Sequence, residues 1–338
     1  MMGFSSPQEG GSERHIYELS NNLKLDVLTQ KGSICKNKIE LPTINSSILL
    51  RNLTFLLSCF SYTIYLLLSK RRYDVIHIHE NLLYFLVPLL SLRYPVIVTV
   101  HGINGFKFYD NKFYWFFFRQ PLKLADTLIA VNLEDQKKLS ETFKNVVYIP
   151  NGVDLSIYKE ISPKIENKIT FIGRIHEQKG LLYLLEAFNK IEKETKLELD
   201  IIGEINDYAR DLKKKFTSKK IKWLGYMSDR KAIVTQLKSS KIIVLPSLWE
   251  GLPLTLFEAL ASGRPVIVSD IPAFKSVIKD QAFFSKVANS EDLADKILSL
   301  NKNKKLQEEL GKKGKKLADK YTWIKIAKNL ENAYSSLK

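Results

Sequence analysis

Residues 246–268, PSLWEGLPLTLFEALASGRPVIV, decide how the rest of the chain is read. The stretch begins where an apolar run, Ile242-Ile243-Val244-Leu245, stops at a proline. It turns through Gly251-Leu252-Pro253, continues as the helix-compatible run 254–261, and closes at Gly263 before a second apolar run, Val266-Ile267-Val268. That order reads as strand, loop, helix, strand, with Pro253 expected in the first helical turn and Gly263 just past the helix end. The amides of Leu252, Pro253's neighbour Leu254, and Thr255 are then expected to point out of the helix start, where free N–H groups and the helix dipole favour a phosphate. Glu250 in the loop and Glu258 in the helix put a carboxylate on either side of that seat. Carboxylates accept from hydroxyls while the amides donate to phosphates, a combination that suits a sugar nucleotide.

Outward from this stretch, apolar runs alternate with helical segments. Residues 169–173, 197–203, 221–225, 242–246 and 266–269 read as parallel strands with helices between them. Upstream, residues 73–80 and 95–102 read as two buried parallel strands, each ending in polar residues. Residues 128–131 and 146–149 are two more, and Pro150-Asn151-Gly152 is a natural place for the chain to leave one sheet. After Glu291 the pattern is helical to the end. The fold class is therefore α/β with two doubly wound, Rossmann-like domains. Ligand sites in such sheets gather at the carboxyl ends of strands, which singles out His101.

Composition narrows the function classes. The 338 residues suffice for two domains of ordinary size. Only two cysteines, Cys35 and Cys59, occur, and no CxxC, so a reducing compartment is expected and a disulfide framework or zinc site is not. Residues 1–13 are polar and glycine-rich, unlike a signal peptide. A net charge of +16 favours anionic partners: sugar nucleotides, acidic lipid headgroups or nucleic acid. Nucleic acid is disfavoured, because the basic residues are not interleaved with aromatics in any binding motif. The lysines between 302 and 316 read as a solvated helix face.

Two segments concern surfaces. Residues 53–69 are uncharged and long enough to raise a membrane span. Their periodicity instead suggests a helix packed on a sheet through Leu53, Leu56, Leu57, Phe60, Ile64, Leu67 and Leu68, with Phe55, Tyr62 and Leu66 on its back. Residues 106–119, FKFYDNKFYWFFFR, mix aromatics with cations, which suits either a core-facing helix entry or a headgroup-level surface.

The pattern P-S-x-x-E-G-L-P-x-x-x-x-E-A-x-A-x-G-x-P-V, with its Glu-x7-Glu pair, resembles the signature of the retaining family-4 (group 1) glycosyltransferases of the GT-B fold. Gly173-Arg174 followed by Lys179-Gly180 resembles the family's G-R-x-x-x-x-K-G, Pro150-Asn151-Gly152-Val153-Asp154 its interdomain crossing, and Val100-His101-Gly102 its V-H-G step. The Gly10-Gly11 loop and the helix carrying Ile16, Leu19 and Leu23 look like the family's first β–α unit with most of its strand missing. The resemblance covers nearly the whole chain and is most specific from 171 to 268.

The resemblance implies a GT-B architecture: an acceptor-side domain over 1–152, a nucleotide-sugar donor domain over 153–318, a central cleft, and a terminal helix over 319–338 returning to the first domain. It implies a metal-independent glycosyltransferase, without cofactor, moving a sugar from a UDP- or GDP-sugar to an acceptor hydroxyl of a lipid-linked or cell-surface glycan precursor. The enzyme is expected in the cytoplasm, peripheral on the membrane, with an anionic membrane surface as a partner. Glu258 would take the ribose hydroxyls and Glu250 the donor-sugar hydroxyls. Gly173, Arg174, Lys179, Gly251 and the amides of 252–255 would hold the phosphates. His101 and the Gly10-Gly11 loop would face the reaction from the first domain. Two fixed cations aimed at a leaving diphosphate can replace a metal, and no Asp-x-Asp ends a strand. Two alternatives stay open: a sugar-nucleotide epimerase or phosphorylase on the same frame, and a non-catalytic binding protein descended from such enzymes.

Overall fold

A computed structural model of the chain describes residues 11–44, 46–102 and 112–337. It divides into two compact units, one made of Met1–Asn151 with Trp323–Lys338, the other of Gly152–Thr322.

The second unit carries one six-stranded parallel sheet. Taking all strands in chain order, the first unit holds β1 (Val27–Gln30), β2 (Lys38–Leu41), β3 (Ile76–Ile78), β4 (Val96–Val100), β5 (Thr127–Ala130) and β6 (Val146–Tyr148). The second holds β7 (Lys168–Ile172), β8 (Glu198–Ile202), β9 (Ile221–Gly225), β10 (Ile242–Leu245), β11 (Val266–Ser269) and β12 (Phe283–Ser285). The spatial order is β12-β11-β10-β7-β8-β9. The order reverses between β7 and β10, and a doubly wound sheet opens a ligand crevice at the carboxyl ends of the strands flanking such a reversal. β7, β10 and β11 are buried throughout, as strands covered on both faces by helices must be. Their core includes Phe171, Leu184, Leu185, Phe188, Val244 and Ile267.

The first unit has a two-stranded sheet, β1-β2, and a four-stranded one, β3-β4-β5-β6, all parallel. The two sheets are not hydrogen-bonded to each other among the described residues. A cavity of about 660 Å³ lies between the starts of β1 and β3, lined also by Tyr62, Leu66 and Tyr334. The terminal helix, Trp323–Ser335, belongs to this unit and packs on the Gly11–Asn22 helix.

One expectation is inverted. The Ile48–Leu68 helix packs on the first unit's core through Phe55, Cys59, Thr63 and Leu66, all fully or almost fully buried. Leu53, Leu57, Phe60, Ile64 and Leu68, assigned to the core from periodicity, are exposed, Leu68 by 83%, while Leu56 and Leu67 of the same stripe are partly buried against the core. The helix is apolar on nearly every side, so no polar face marks which way it turns. It is also long and apolar enough to cross a membrane by length and composition, yet one face is committed to the sheet.

Candidate active site

The loops after β7 and β10 close on each other. After Gly173 the chain turns through Arg174 to a short 3-10 turn, Glu177–Lys179, and then enters the Leu181–Ile191 helix. Gly180 adopts a φ of +65°, and a Cβ there would lie 1.9 Å from the Pro246 carbonyl oxygen, so only glycine lets the two loops approach. One backbone and one side-chain bond complete the closure: Leu248 N–H donates to Gln178 O at 2.8 Å, and Gln178 Nε2 donates to Trp249 O at 2.9 Å.

Glu250 lies inside this closure, 7% exposed. Its Oε1 takes the Lys179 ammonium at 2.5 Å and the Ser247 hydroxyl at 2.7 Å, while Gln178 Nε2 reaches Oε2 at 3.4 Å. A buried carboxylate so surrounded is held in one orientation. Lys179 and Glu250, expected as separate contacts to a ligand, are one ion pair here. Arg174 beside them is exposed and forms no ion pair or hydrogen bond among the described residues. It is the cation of this site left open to an anion.

The helix after Glu250 runs Leu254–Ala261. Pro253 is its N-cap with φ −72° and ψ 140°, one position earlier than the first helical turn in which it was expected. Leu256 N–H already bonds to Pro253 O. Leu254 and Thr255 lead the helix with no intrahelical partner for their amides. The Leu252 side chain is buried at 3%, so this position can offer a ligand only backbone.

Glu258 corrects a second expectation. It was read as ligand-facing rather than buried, but it is 8% exposed and ion-paired to Arg230 at 2.7 Å. A carboxylate in a helix interior needs such a partner once the sheet and neighbouring helices exclude water. Arg230 begins the Arg230–Ser239 helix, capped by Asp229, and nothing in the spacing of residues 230 and 258 signals the pair. Tyr158 lies in the same neighbourhood: its hydroxyl is buried without a partner. Burial first, then the Glu258 charge, raise its pKa well above the usual phenol value. It stays a neutral hydroxyl.

The first unit holds a second cluster, of which the sequence showed only His101. His101 follows β4, His77 lies in β3, His79 follows β3, and His15 comes from the Gly11–Asn22 helix. In the parallel register Ile76 pairs with Val96, and the side-chain bonds run two residues further on. His77 Nε2 meets Thr99 Oγ1 at 2.7 Å and His79 Nδ1 meets His101 Nε2 at 3.1 Å. His15 Nδ1 bonds Asn151 Oδ1 at 2.7 Å, and His77 Nδ1 meets the Tyr334 hydroxyl at 2.7 Å. Burial pushes the His15 pKa down to about 4 and carries His77, His79 and His101 well below the usual histidine value. All four imidazoles are neutral. Their bonded nitrogens meet one another and neutral groups, and no metal-ligating set forms among the described residues. Gly10 lies outside the described residues, and Gly11 opens the helix that carries His15.

Residues 155–317 match the family model of glycosyl transferases group 1, and residues 9–157 match that of glycosyltransferase family 4. The UDP-Gal:alpha-D-GlcNAc-diphosphoundecaprenol alpha-1,3-galactosyltransferase of Escherichia coli is 30% identical over 254 residues, 65% of this chain and 63% of that protein's length. The phosphatidyl-myo-inositol mannosyltransferase of Mycobacterium leprae is 25% identical over 281 residues, 78% of this chain and 74% of the relative. Among solved structures, sucrose-phosphate synthase from Thermosynechococcus elongatus superposes with a TM-score of 0.80 at 18% identity, covering 99% of this chain and 98% of that one. Anabaena HepE in complex with UDP and glucose gives 0.80 at 16% identity, covering 99% of each. At such identities the likeness is one of fold, the GT-B fold.

Proposed function

The chain belongs to the family-4, group 1 glycosyltransferases, and from that premise we propose that it transfers a sugar from a nucleotide-sugar donor to a hydroxyl of a lipid-linked acceptor, with retention of anomeric configuration. The observation that carries this reading is the convergence of Arg174, the Lys179–Glu250 pair and the unpaired amides of Leu254 and Thr255 on the β7–β10 reversal. A diphosphate there meets two cations and a helix N-terminus. Glu250, oriented by Lys179 and Ser247, accepts from donor-sugar hydroxyls, and Glu258, held by Arg230, accepts from ribose.

In the proposed reaction the bond from the anomeric carbon to the diphosphate oxygen breaks while the acceptor oxygen bonds that carbon on the same face. The acceptor's proton passes to the leaving diphosphate oxygen. Charge grows on the diphosphate as it leaves, and Arg174, Lys179 and the amides stabilise that charge without a metal. The relatives' names support the substrate class: one uses a UDP-sugar and a diphosphoundecaprenol-linked acceptor, the other is named for phosphatidyl-myo-inositol. The test is to incubate the protein in EDTA with UDP-galactose, UDP-glucose or GDP-mannose, and with polyprenyl-diphosphate GlcNAc or phosphatidylinositol. We expect one pairing to release nucleoside diphosphate and give a glycoside of the donor's anomeric configuration. Interconversion of sugar nucleotides without an acceptor, or binding without turnover, would replace transfer by epimerisation or by a binding role. Activity returning only with Mg²⁺ or Mn²⁺ would overturn the metal-independent step.

We also infer that the first unit docks peripherally on an anionic bilayer. The outward face of the Ile48–Leu68 helix presents Leu53, Leu57, Phe60 and Ile64. The Asn81–Leu86 turn packs on that helix and adds Phe85, whose ring lies tilted against Phe118 with centroids 5.4 Å apart. The Lys112–Leu122 helix packs on the same turn and exposes Phe116 and Phe117. Lys70, Arg72 and Lys123 are exposed just past the C-terminal ends of the two helices. Residues 106–111 of the aromatic segment lie outside the described residues. Basic side chains near an acidic bilayer contribute about 1 kcal/mol each, and inserted aromatics add an apolar term. Co-sedimentation is expected with anionic vesicles, reduced at high salt and weakened by Phe60→Ser with Phe117→Ser. Equal partitioning to anionic and neutral vesicles, or none to either, would sink the docking claim and leave the transferase reading intact.

A further inference from the structure

The His79–His101 contact fixes which proton His101 can offer. Both rings are neutral, and a neutral imidazole carries one N–H and one lone pair. The 3.1 Å contact between His79 Nδ1 and His101 Nε2 therefore has one donor and one acceptor. Two arrangements satisfy it. If His101 Nε2–H donates, the remaining proton of His79 lies on its Nε2, which is buried with no hydrogen-bond partner. If His79 Nδ1–H donates, that buried Nε2 is only a lone pair. Orphaned buried N–H groups are rarer than under-used acceptors, because a strong donor loses all of its hydration. The second arrangement is therefore favoured, and it leaves the proton of His101 on Nδ1. No residue among the described ones bonds that nitrogen. The His79 ring cannot easily flip to change this. It stacks against His77 at 4.1 Å and lies 5.3 Å from His15, while His77 is itself tied at both nitrogens.

We propose that His79 is a positioning residue that holds His101 in its Nδ1–H tautomer, so that His101 acts as a hydrogen-bond donor to a substrate oxygen and not as a base. The substrate part of this rests on the transferase reading; the tautomer does not.

The test begins with protein labelled with ¹⁵N at its five histidines. Long-range ¹H–¹⁵N spectra report which nitrogen of each ring is protonated, and His101→Gln assigns the His101 signals. Wild type is expected to show His101 protonated on Nδ1 and bare on Nε2. In His79→Leu that preference should be lost, and kcat should fall about tenfold, the loss of one oriented hydrogen bond, at nearly constant donor KM. His79→Asn keeps an N–H donor near the place of the imidazole Nδ1 and should recover most of both. A proton on His101 Nε2 in the wild type overturns the proposal, even where His79→Leu fails to fold. So does a His79→Leu enzyme with unchanged tautomer and kcat. The spectra need no substrate, so an absence of transferase activity would overturn the function above without touching the tautomer.

Discussion

Lys179→Ala is expected to lower kcat/KM about a hundredfold and to destabilise the second unit at the same time. The ammonium lies 2.5 Å from Glu250, and the two side chains are only 14% and 6% exposed. Removing one member of a buried pair leaves the other charged and desolvated, at about 3–5 kcal/mol. Ser247 and Gln178 still bond the carboxylate, so about 3 kcal/mol is the better figure, or about 6–12 °C in melting temperature. The activity term has a separate cause. A charge-assisted contact to the leaving diphosphate contributes about 1.5–3 kcal/mol, and the released Glu250 no longer points where a sugar hydroxyl needs it. The double variant Lys179→Ala with Glu250→Ala separates the two: stability should partly return while activity does not. A single variant with wild-type kcat/KM would remove the pair from the site.

Arg174 supplies the contrast within the same measurement. It is exposed and unpaired among the described residues. Arg174→Ala should therefore cost activity by about ten- to a hundredfold with the melting temperature unchanged. If Arg174→Ala and Lys179→Ala lost equal stability, the division between an open cation and a structural one would fail.

This site was legible in sequence because its parts are local. Strand ends, a glycine that must adopt a positive φ and a helix start are each fixed by a few adjacent residues, so residues 173–180 and 246–263 could be read before they were seen together. What escaped depends on tertiary contacts. Arg230 meets Glu258 only because two helices pack side by side. Of the four clustered histidines only His101 was singled out, since residues 15, 77 and 79 join it only through strand register and helix packing. The Ile48–Leu68 helix was turned the wrong way for a different reason. Periodicity finds a buried face by contrast with a polar one, and between Leu49 and Leu68 there is almost none.

The histidine cluster is expected to make the first unit sensitive to mild acid. In the unfolded chain these imidazoles titrate near 6.5, whereas burial holds His15 at about 4 and His77, His79 and His101 well below the usual value. Between those limits the unfolded state binds more protons than the folded one, so stability rises with pH and is lost as pH falls below 6.5. The groups around the cluster do not reverse the sign. Tyr334 and Tyr84 are buried phenols whose pKa burial raises, Thr99 is neutral, and the histidines repel one another once charged. Each group contributes up to about 1.4 kcal/mol per pH unit. From pH 6.5 to 5 that is about 2 kcal/mol for His15, and His77, His79 and His101 act in the same direction. The second unit's one histidine, His176, is exposed. Hydrogen exchange followed by mass spectrometry from pH 7.5 to 5, corrected for intrinsic rates, should show β3, β4 and the Gly11–Asn22 helix losing protection while β7 and β10 keep theirs. His15→Gln should shallow the dependence by about one proton. Equal protection of both units at pH 5 would mean that the cluster is solvated, and the neutrality on which the His101 tautomer depends would fall with it.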